Sequence, residues 1–177
     1  RLGMKYNVNE WFRLKASAGL YSQNLVAANS DRDVVNLFYG FLSGPSEGNV
    51  YSVNNTESAL QKAKHVVAGF EVEVTKEITL NVEGYIKYFE QIINVNRNKL
   101  YDNENEAPDG TNPIFYENFV GESGLAKGLD FLATYKHDGI YLWAVYSLGL
   151  ITRDDGIREY NPYFDRRHNL NLVGNYA

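Results

Sequence analysis

The feature that most constrains this chain is a period of two, in which apolar and polar residues alternate along almost the whole sequence. Between Ile78 and Ile86 every second residue is Ile, Leu, Val or Gly, and the residues between them are Thr, Asn, Glu or Tyr. Successive side chains of a β-strand point to opposite faces, so the pattern predicts strands with one apolar and one polar face. The alternation predicts an all-β chain with strands at about 2–8, 11–22, 64–75, 78–92, 120–136, 140–152 and 165–177.

The connections between these strands alternate in length. Tight turns are predicted near 7–10, 75–78 and 136–140, and longer connections near 23–63, 94–119 and 153–164. Both ends of a soluble β-sandwich face water, so that fold does not explain why short and long connections alternate. Transmembrane barrels of the outer-membrane type have short periplasmic turns and long extracellular loops. The order therefore predicts an antiparallel transmembrane β-barrel, with about seven strands of a larger barrel present.

Strand length and aromatic placement favour the same fold. The run from Ile78 to Phe89 is about 40 Å long when extended, and at a tilt of about 45° it crosses a hydrocarbon core of about 30 Å. Aromatic side chains predict two girdles at the membrane interfaces, one beside the tight turns and one beside the long connections. The first girdle contains Tyr6, Trp11, Tyr135 and Tyr141, and the second contains Tyr21, Tyr88, Phe89, Tyr163 and Phe164.

Composition excludes several other classes. The 177 residues carry a formal net charge of -5, which argues against nucleic acid as a partner because that function needs a basic patch. The chain has no cysteine, so disulfides, thiolate metal sites and cysteine nucleophiles are excluded. No apolar run approaches the roughly 18 residues of a membrane helix. Both ends break off within an alternating pattern, and the sequence is expected to be a slice of a longer barrel.

Residues suited to catalysis or metal binding are sparse. The histidines at positions 65, 137 and 168 are far apart in the sequence. The segment 121–125 fails the G-x-S-x-G pattern of a nucleophile elbow, because Leu125 stands where the last glycine is required. The acidic segment 102–109 offers calcium ligands but lacks the glycine of an EF-hand, and a solvated acidic loop is the better interpretation. The sequence predicts no enzyme, no catalytic residue, no metal site and no cofactor.

Two groups of residues are candidates for a functional site. The first is a set of polar side chains predicted to face a hydrated lumen, where cross-strand ion pairing is their simplest role. Its members are Arg13, Lys15, Glu71, Glu73, Asn81, Glu83, Lys87 and Asp130. The second group lies in the connection 23–63, where a charged triplet precedes an aromatic run that is unusual for an exposed loop. Its predicted ligand- or partner-binding residues are Asp31, Arg32, Asp33, Phe38, Tyr39 and Phe41.

Three segments resemble the barrels of TonB-dependent outer-membrane receptors. Residues 162–173, which include Asp165-Arg166-Arg167-His168, resemble the segment that leads into a late barrel strand. Residues 121–130 resemble a glycine-rich start of another strand, and residues 5–21 are similar to a hairpin of the family. The resemblance implies a barrel of about 22 strands and an N-terminal plug domain with a TonB-contacting box. Neither the plug nor the box is in this sequence, and residues 1–177 would form one partial transmembrane barrel domain.

The resemblance also implies a function and partners. It implies high-affinity uptake of a scarce ligand (iron chelate, vitamin, glycan or peptide) across the bacterial outer membrane, driven by the TonB complex acting through the plug. Outer-membrane lipid is an implied partner, and a surface lipoprotein is a further one. Three alternatives stay open: a passive porin, a barrel that serves adhesion or secretion, and a soluble secreted β-sandwich that binds carbohydrate.

Overall fold

The computed structural model describes residues 1–23, 50–52 and 60–176, and in these ranges the chain forms one nine-stranded sheet. Two short 3-10 turns, Glu104–Glu106 and Pro113–Phe115, interrupt the connection between the fifth and sixth strands. The strands are β1 (Leu2–Asn7), β2 (Phe12–Gln23), β3 (Val50–Ser52), β4 (Gln61–Glu73), β5 (Ile78–Val95), β6 (Phe119–His137), β7 (Ile140–Asp154), β8 (Glu159–Tyr160) and β9 (His168–Tyr176).

All seven predicted strands are present, and the structure adds β3 and β8. These two strands have three and two residues, which is too short for an alternating pattern to be detected in the sequence. The predicted boundaries are wrong by a few residues where the chain enters the long connections. β5 continues to Val95, β7 continues to Asp154, and β9 begins only at His168.

The long strands follow one another across the sheet in chain order. β1, β2, β4, β5, β6, β7 and β9 each pair antiparallel with the next. β8 folds back on β7, where Arg153 pairs with Tyr160. β3 pairs parallel with β6 over Phe119–Gly121, beyond the last pair that β6 makes with β7, at Ser123 and Asp154.

The register gives the sheet two chemically different faces. On the apolar face, pairing runs across six strands through Leu14, Phe70, Val82, Phe131, Tyr146 and Leu170. On the polar face, the neighbouring row runs through Lys15, Gly69, Glu83, Asp130, Ser147 and Asn169. Several large apolar side chains remain exposed, including Leu20 at 76% and Leu172 at 70%. Exposure on this scale marks a face that meets another apolar phase.

The sheet has a turn end, where the connections 8–11, 74–77 and 138–139 close the hairpins, and a loop end, where the long connections lie. Two of the three turns are fixed by one side chain each: Asn9 accepts hydrogen bonds from Trp11 and Phe12, and Thr75 accepts from Glu77 and Ile78. The third is the two-residue hairpin Asp138-Gly139, with φ of 39° and 79°. Positive φ at both positions is the type I′ turn that matches strand twist.

The packed core lies at the loop end. In the described ranges the buried side chains include Gln91, Ile93, Asn94, Asn96, Ile114, Phe119, Val120, Glu122, Ala126 and Asp155. They belong to the outer parts of β5 and β6 and to the connections that cover them.

No helix in the described ranges is long and apolar enough to cross a membrane, an observation that concerns helices alone.

Candidate functional site

Six of the predicted lumen-facing residues are joined on the polar face in one hydrogen-bonded network: Arg13, Lys15, Glu71, Glu73, Asn81 and Glu83. The guanidinium of Arg13 lies 2.6 Å from Oε1 of Glu71 and 2.5 Å from Oε1 of Glu73. Lys15 pairs with the second oxygen of Glu71, and its Nζ lies 3.3 Å from Oδ1 of Asn81. These pairs are only partly shielded from solvent, so each adds little to the stability of the sheet. Their main effect is to hold charged side chains in fixed positions on this face.

Glu83 and Asp130 continue this network across β5 and β6. Asn81 donates through Nδ2 to Oε1 of Glu83 at 2.9 Å, and Glu83 is the register partner of Asp130. Two carboxylates therefore stand side by side on the polar face, an arrangement that is unfavourable between strands unless water or a cation screens it. The placement fits a hydrated surface rather than a packed one.

Lys87 is separate from the network and lies against an aromatic ring. Its Nζ lies 5.1 Å from the ring centroid of Tyr85. Tyr85 extends across the next two strands, because a Cβ added at Gly128 or Gly149 would lie 2.7 Å or 3.2 Å from its hydroxyl oxygen. Glycine on β6 and β7 thus makes room for a tyrosine that lies flat on the polar face. The strand register brings this tyrosine and the two glycines together.

A cavity of about 400 Å³ lies on the same side of the sheet at the loop end. Tyr21 stacks on His65, with ring centroids 4.3 Å apart, and Phe89 meets the other edge of His65 at 6.1 Å. Arg1 lies over the ring of Tyr21 at 4.5 Å. The buried Nε2 of His65 makes no hydrogen bond with the described residues. A cavity that combines aromatic rings with polar side chains is suited to binding a small molecule.

A buried carboxylate joins the last long connection to the sheet. Glu122 on β6 is 2% exposed, and the hydroxyl of Tyr160 on β8 lies 2.8 Å and 2.9 Å from its two oxygens. Arg153 lies 3.6 Å from the same carboxylate. Burial, followed by the negative charge of Glu122, raises the pKa of Tyr160 to about 12. Tyr160 therefore stays a neutral hydrogen-bond donor at physiological pH.

Asp155 and Asp165 fix the two ends of that connection. Asp155 accepts hydrogen bonds from the backbone N–H groups of Ile157 and Arg158, each at 2.9 Å, and from Asn98 at 3.1 Å. Burial alone would raise the pKa of Asp155, but these hydrogen bonds outweigh it and lower the pKa below its usual value. Asp165 accepts from the backbone N–H of Ile151 at 3.0 Å and from Arg167 at 2.9 Å. The Asp-Arg-Arg-His stretch is thus a structural anchor for the start of β9.

The described residues carry two candidate binding surfaces, the charged network of the polar face and the cavity beside His65. They contain no group of three or more His, Asp or Glu side chains placed to hold a metal ion. The second predicted site, Asp31 to Phe41, lies outside the described residues. Sequence reasoning did not identify the cavity residues Tyr21 and His65 or the cluster of Glu122 and Tyr160, because their partners are more than 35 residues away in the chain. No local pattern marks a contact of that range.

Three solved structures have the fold of this chain over 98% of its length. The structure of the FpvAI–pyocin S2 complex matches with a TM-score of 0.62 at 14% sequence identity. The ferripyoverdine receptor of the outer membrane of Pseudomonas aeruginosa, bound to ferripyoverdine, matches at 0.59 and 14%, and the receptor FpvA of Pseudomonas aeruginosa PAO1 bound to pyoverdine at 0.59 and 16%. The chain spans 20%, 19% and 21% of these structures, in that order. No protein-family model and no curated protein matches the sequence.

The fold class is therefore a section of an antiparallel transmembrane β-barrel of the outer-membrane type. The antiparallel sheet, the order of its strands and its two unlike faces confirm the fold that the sequence predicts. The described strands form one open sheet, so the β-sandwich alternative is wrong. At 14–16% identity the likeness establishes the fold and leaves the ligand to be argued separately.

Proposed function

We propose that this chain is part of the barrel wall of a TonB-dependent receptor in the bacterial outer membrane, which takes up a scarce ligand from outside the cell. The observation that carries the proposal is the superposition of nearly the whole sheet on ferripyoverdine receptors. In this assignment the apolar face meets lipid, and the network of Arg13, Lys15, Glu71, Glu73, Asn81, Glu83 and Asp130 faces the lumen. Lys87 faces the same hydrated space.

The orientation follows from the two ends of the sheet. Short turns are periplasmic and long loops extracellular in barrels of this type. The loop end, with the cavity beside Tyr21 and His65, is therefore the outer mouth, and the turn end faces the periplasm. A surface lipoprotein would dock at the outer mouth. The TonB complex would act from the periplasm through a plug domain.

Among the ligand classes, an iron chelate is the first to test, because two of the similar structures hold pyoverdine or its ferric form. The rings of Tyr21, His65 and Phe89 are suited to contact with any planar, aromatic part of such a ligand. Vitamins, glycans and peptides are the other ligand classes to be compared in the same experiment.

The experiment measures energised uptake by cells that produce the intact protein. Cells are supplied with one radiolabelled ligand of each class, with and without an uncoupler of the proton-motive force. We expect saturable accumulation of one ligand that stops when the uncoupler is added. Replacing Tyr21 and His65 together by alanine should weaken that ligand's apparent affinity by about three- to tenfold.

Leu20→Ala is the matched control, since Leu20 is next to Tyr21 in sequence and lies on the opposite, apolar face. Accumulation that survives the uncoupler and rises in proportion to ligand concentration would indicate a passive porin instead. An equal loss of affinity in the control variant would show that the cavity is not the binding site of the ligand.

A further inference from the structure

The apolar face carries an unexpected lysine. Lys127 on β6 pairs with Ile86 on one side and with Leu150 on the other, and its neighbours along the strand on the same face are Leu125 and Leu129. Lys127 is exposed. A charge surrounded by aliphatic side chains on a membrane-facing surface is unfavourable unless the ammonium group reaches a polar layer.

Lys127 lies within a polar zone that crosses the apolar face. Lys64 on β4 pairs in register with Tyr88 on β5 and forms an ion pair with Glu90. His168 on β9 is held by the hydroxyl of Tyr146, 2.7 Å from its Nδ1. Four residues of this face make up an interfacial belt: Lys64, Tyr88, Lys127 and His168.

The four residues of the interfacial belt lie at similar distances from the turn end of the sheet. Lys64, Tyr88, Lys127 and His168 each lie about eight to ten residues along their strands from the turn end, and a tilted transmembrane strand crosses the bilayer in about 9–11 residues. The belt therefore lies where the apolar band meets the headgroups on the loop side. Arg166, exposed, is two residues before His168 in the same zone.

The opposite interface is different. Near the turn end, the apolar face of the described strands carries Tyr6, Phe12 and Tyr135, and His137 in contact with Glu77, but no lysine or arginine. Aromatic side chains settle at either interface, whereas lysine adds attraction to anionic headgroups in one leaflet. The chain as a whole is acidic, with a net charge of -5. The lysines on one side of the apolar face therefore do not reflect a general excess of basic residues.

We propose that the interfacial belt binds the phosphate-bearing headgroup of an anionic lipid in the leaflet at the loop end. The aliphatic stem of Lys127 lies along the apolar surface and its ammonium group meets the phosphate. Lys64 lies two strands away, about 10 Å across the sheet, and its charge is already shared with Glu90. Lys127 is therefore the principal contact. This inference requires the apolar face to meet a membrane and is independent of ligand uptake.

The test uses the intact protein in nanodiscs that contain equal amounts of phosphatidylglycerol and phosphatidylcholine. After exchange into a neutral detergent, native mass spectrometry measures which lipid stays bound. We expect the wild type to retain phosphatidylglycerol in excess. Lys127→Ala should lower that excess by about fivefold, the usual contribution of one basic residue near a charged membrane surface. Lys127→Arg should preserve it, and Lys64→Ala should lower it less.

Lys87→Ala is the control at matched height, because Lys87 pairs with Ala126, the neighbour of Lys127, and lies on the polar face. Its lipid ratio should equal that of the wild type. The proposal is overturned if Lys127→Ala retains the wild-type ratio, or if Lys87→Ala lowers it as much. It is also overturned if inorganic phosphate displaces the lipid at equal concentration, since the belt would then be a general anion site. Removing a charge from an apolar face does not impair folding, so the lead variant is expected to assemble.

Discussion

The two ends of the sheet are built by different means. At the turn end, Asn9, Thr75 and the Asp138-Gly139 pair fix three connections with a few local hydrogen bonds or a special backbone conformation. At the loop end, the connections add a packed core around Ile114 and Val120. The turn end is specified by neighbours in sequence, whereas the loop end is specified by contacts between distant segments.

This difference separates two sources of stability. A single membrane-spanning sheet has no second layer, so its spanning part depends on cross-strand pairs and on the bilayer itself. The loop end stands in water and holds buried carboxylates that need designated partners, as Glu122 needs Tyr160. Each part can therefore be weakened without the other, and the following variants test this separation in order of decreasing effect.

The largest effect is expected from Val120→Arg. Val120 is 1% exposed in the loop-end core, and an uncompensated buried charge costs about 3–5 kcal/mol. Limited proteolysis of the reconstituted intact protein should show early cleavage in the connection 95–119 while the strands stay protected. Simultaneous loss of the strands would mean that the two ends are one cooperative unit.

Val82→Arg makes the same substitution at a position that depends on lipid. It places charge near the middle of the apolar face and should lower the free energy of unfolding in vesicles by about 2–4 kcal/mol. Glu83→Arg, on the polar face one residue on, should cost much less. Guanidinium unfolding in vesicles measures both variants, and equal costs would contradict the assignment of the faces.

Tyr160→Phe removes the donor to Glu122 and should destabilise the loop end by about 1.5–3 kcal/mol, the usual value for a hydrogen bond to a charged group. The pKa of Tyr160 is raised from 10.0 to about 12, so the folded loop holds its proton more tightly than the unfolded one. The stabilisation is therefore complete below pH 10 and is lost as the pH rises towards 12.

Protease resistance of the connection 154–168, followed from pH 9 to 12, tests this sign. The wild type should lose resistance across the upper part of the range, and Tyr160→Phe should be weaker but less dependent on pH. An identical decline in the two proteins would show that another group titrates.

The smallest effect is expected at the turn end, from Gly139→Ala. Gly139 has a φ of 79°, and alanine is strained there by about 1 kcal/mol. Gly3→Ala is the control, since no atom lies within 4 Å of a Cβ at that position. Vesicle unfolding should separate the two variants, and no difference would mean that the hairpin does not limit stability.

The same contrast explains what the sequence could predict. The strands and their faces are readable because alternation records the environment of each residue directly, as from Ile78 to Ile86. Strand faces also predict which charged side chains share a surface, and Arg13, Lys15 and Glu71 do lie on one face; that this face lines a lumen stays a prediction. The cavity around His65, the cluster of Glu122 and Tyr160, and the short strands β3 and β8 depend on pairing between distant segments, which no local pattern encodes.

The parallel pairing of β3 has a consequence for the order of assembly. Val50–Ser52 lie beside Phe119–Gly121, so this contact closes a loop that contains the whole hairpin of β4 and β5. Contacts between residues so far apart form slowly, because closing a long loop loses chain entropy before the contact contributes stabilising energy. The first long connection is therefore expected to gain this anchor late, after the hairpins of the sheet on which it rests.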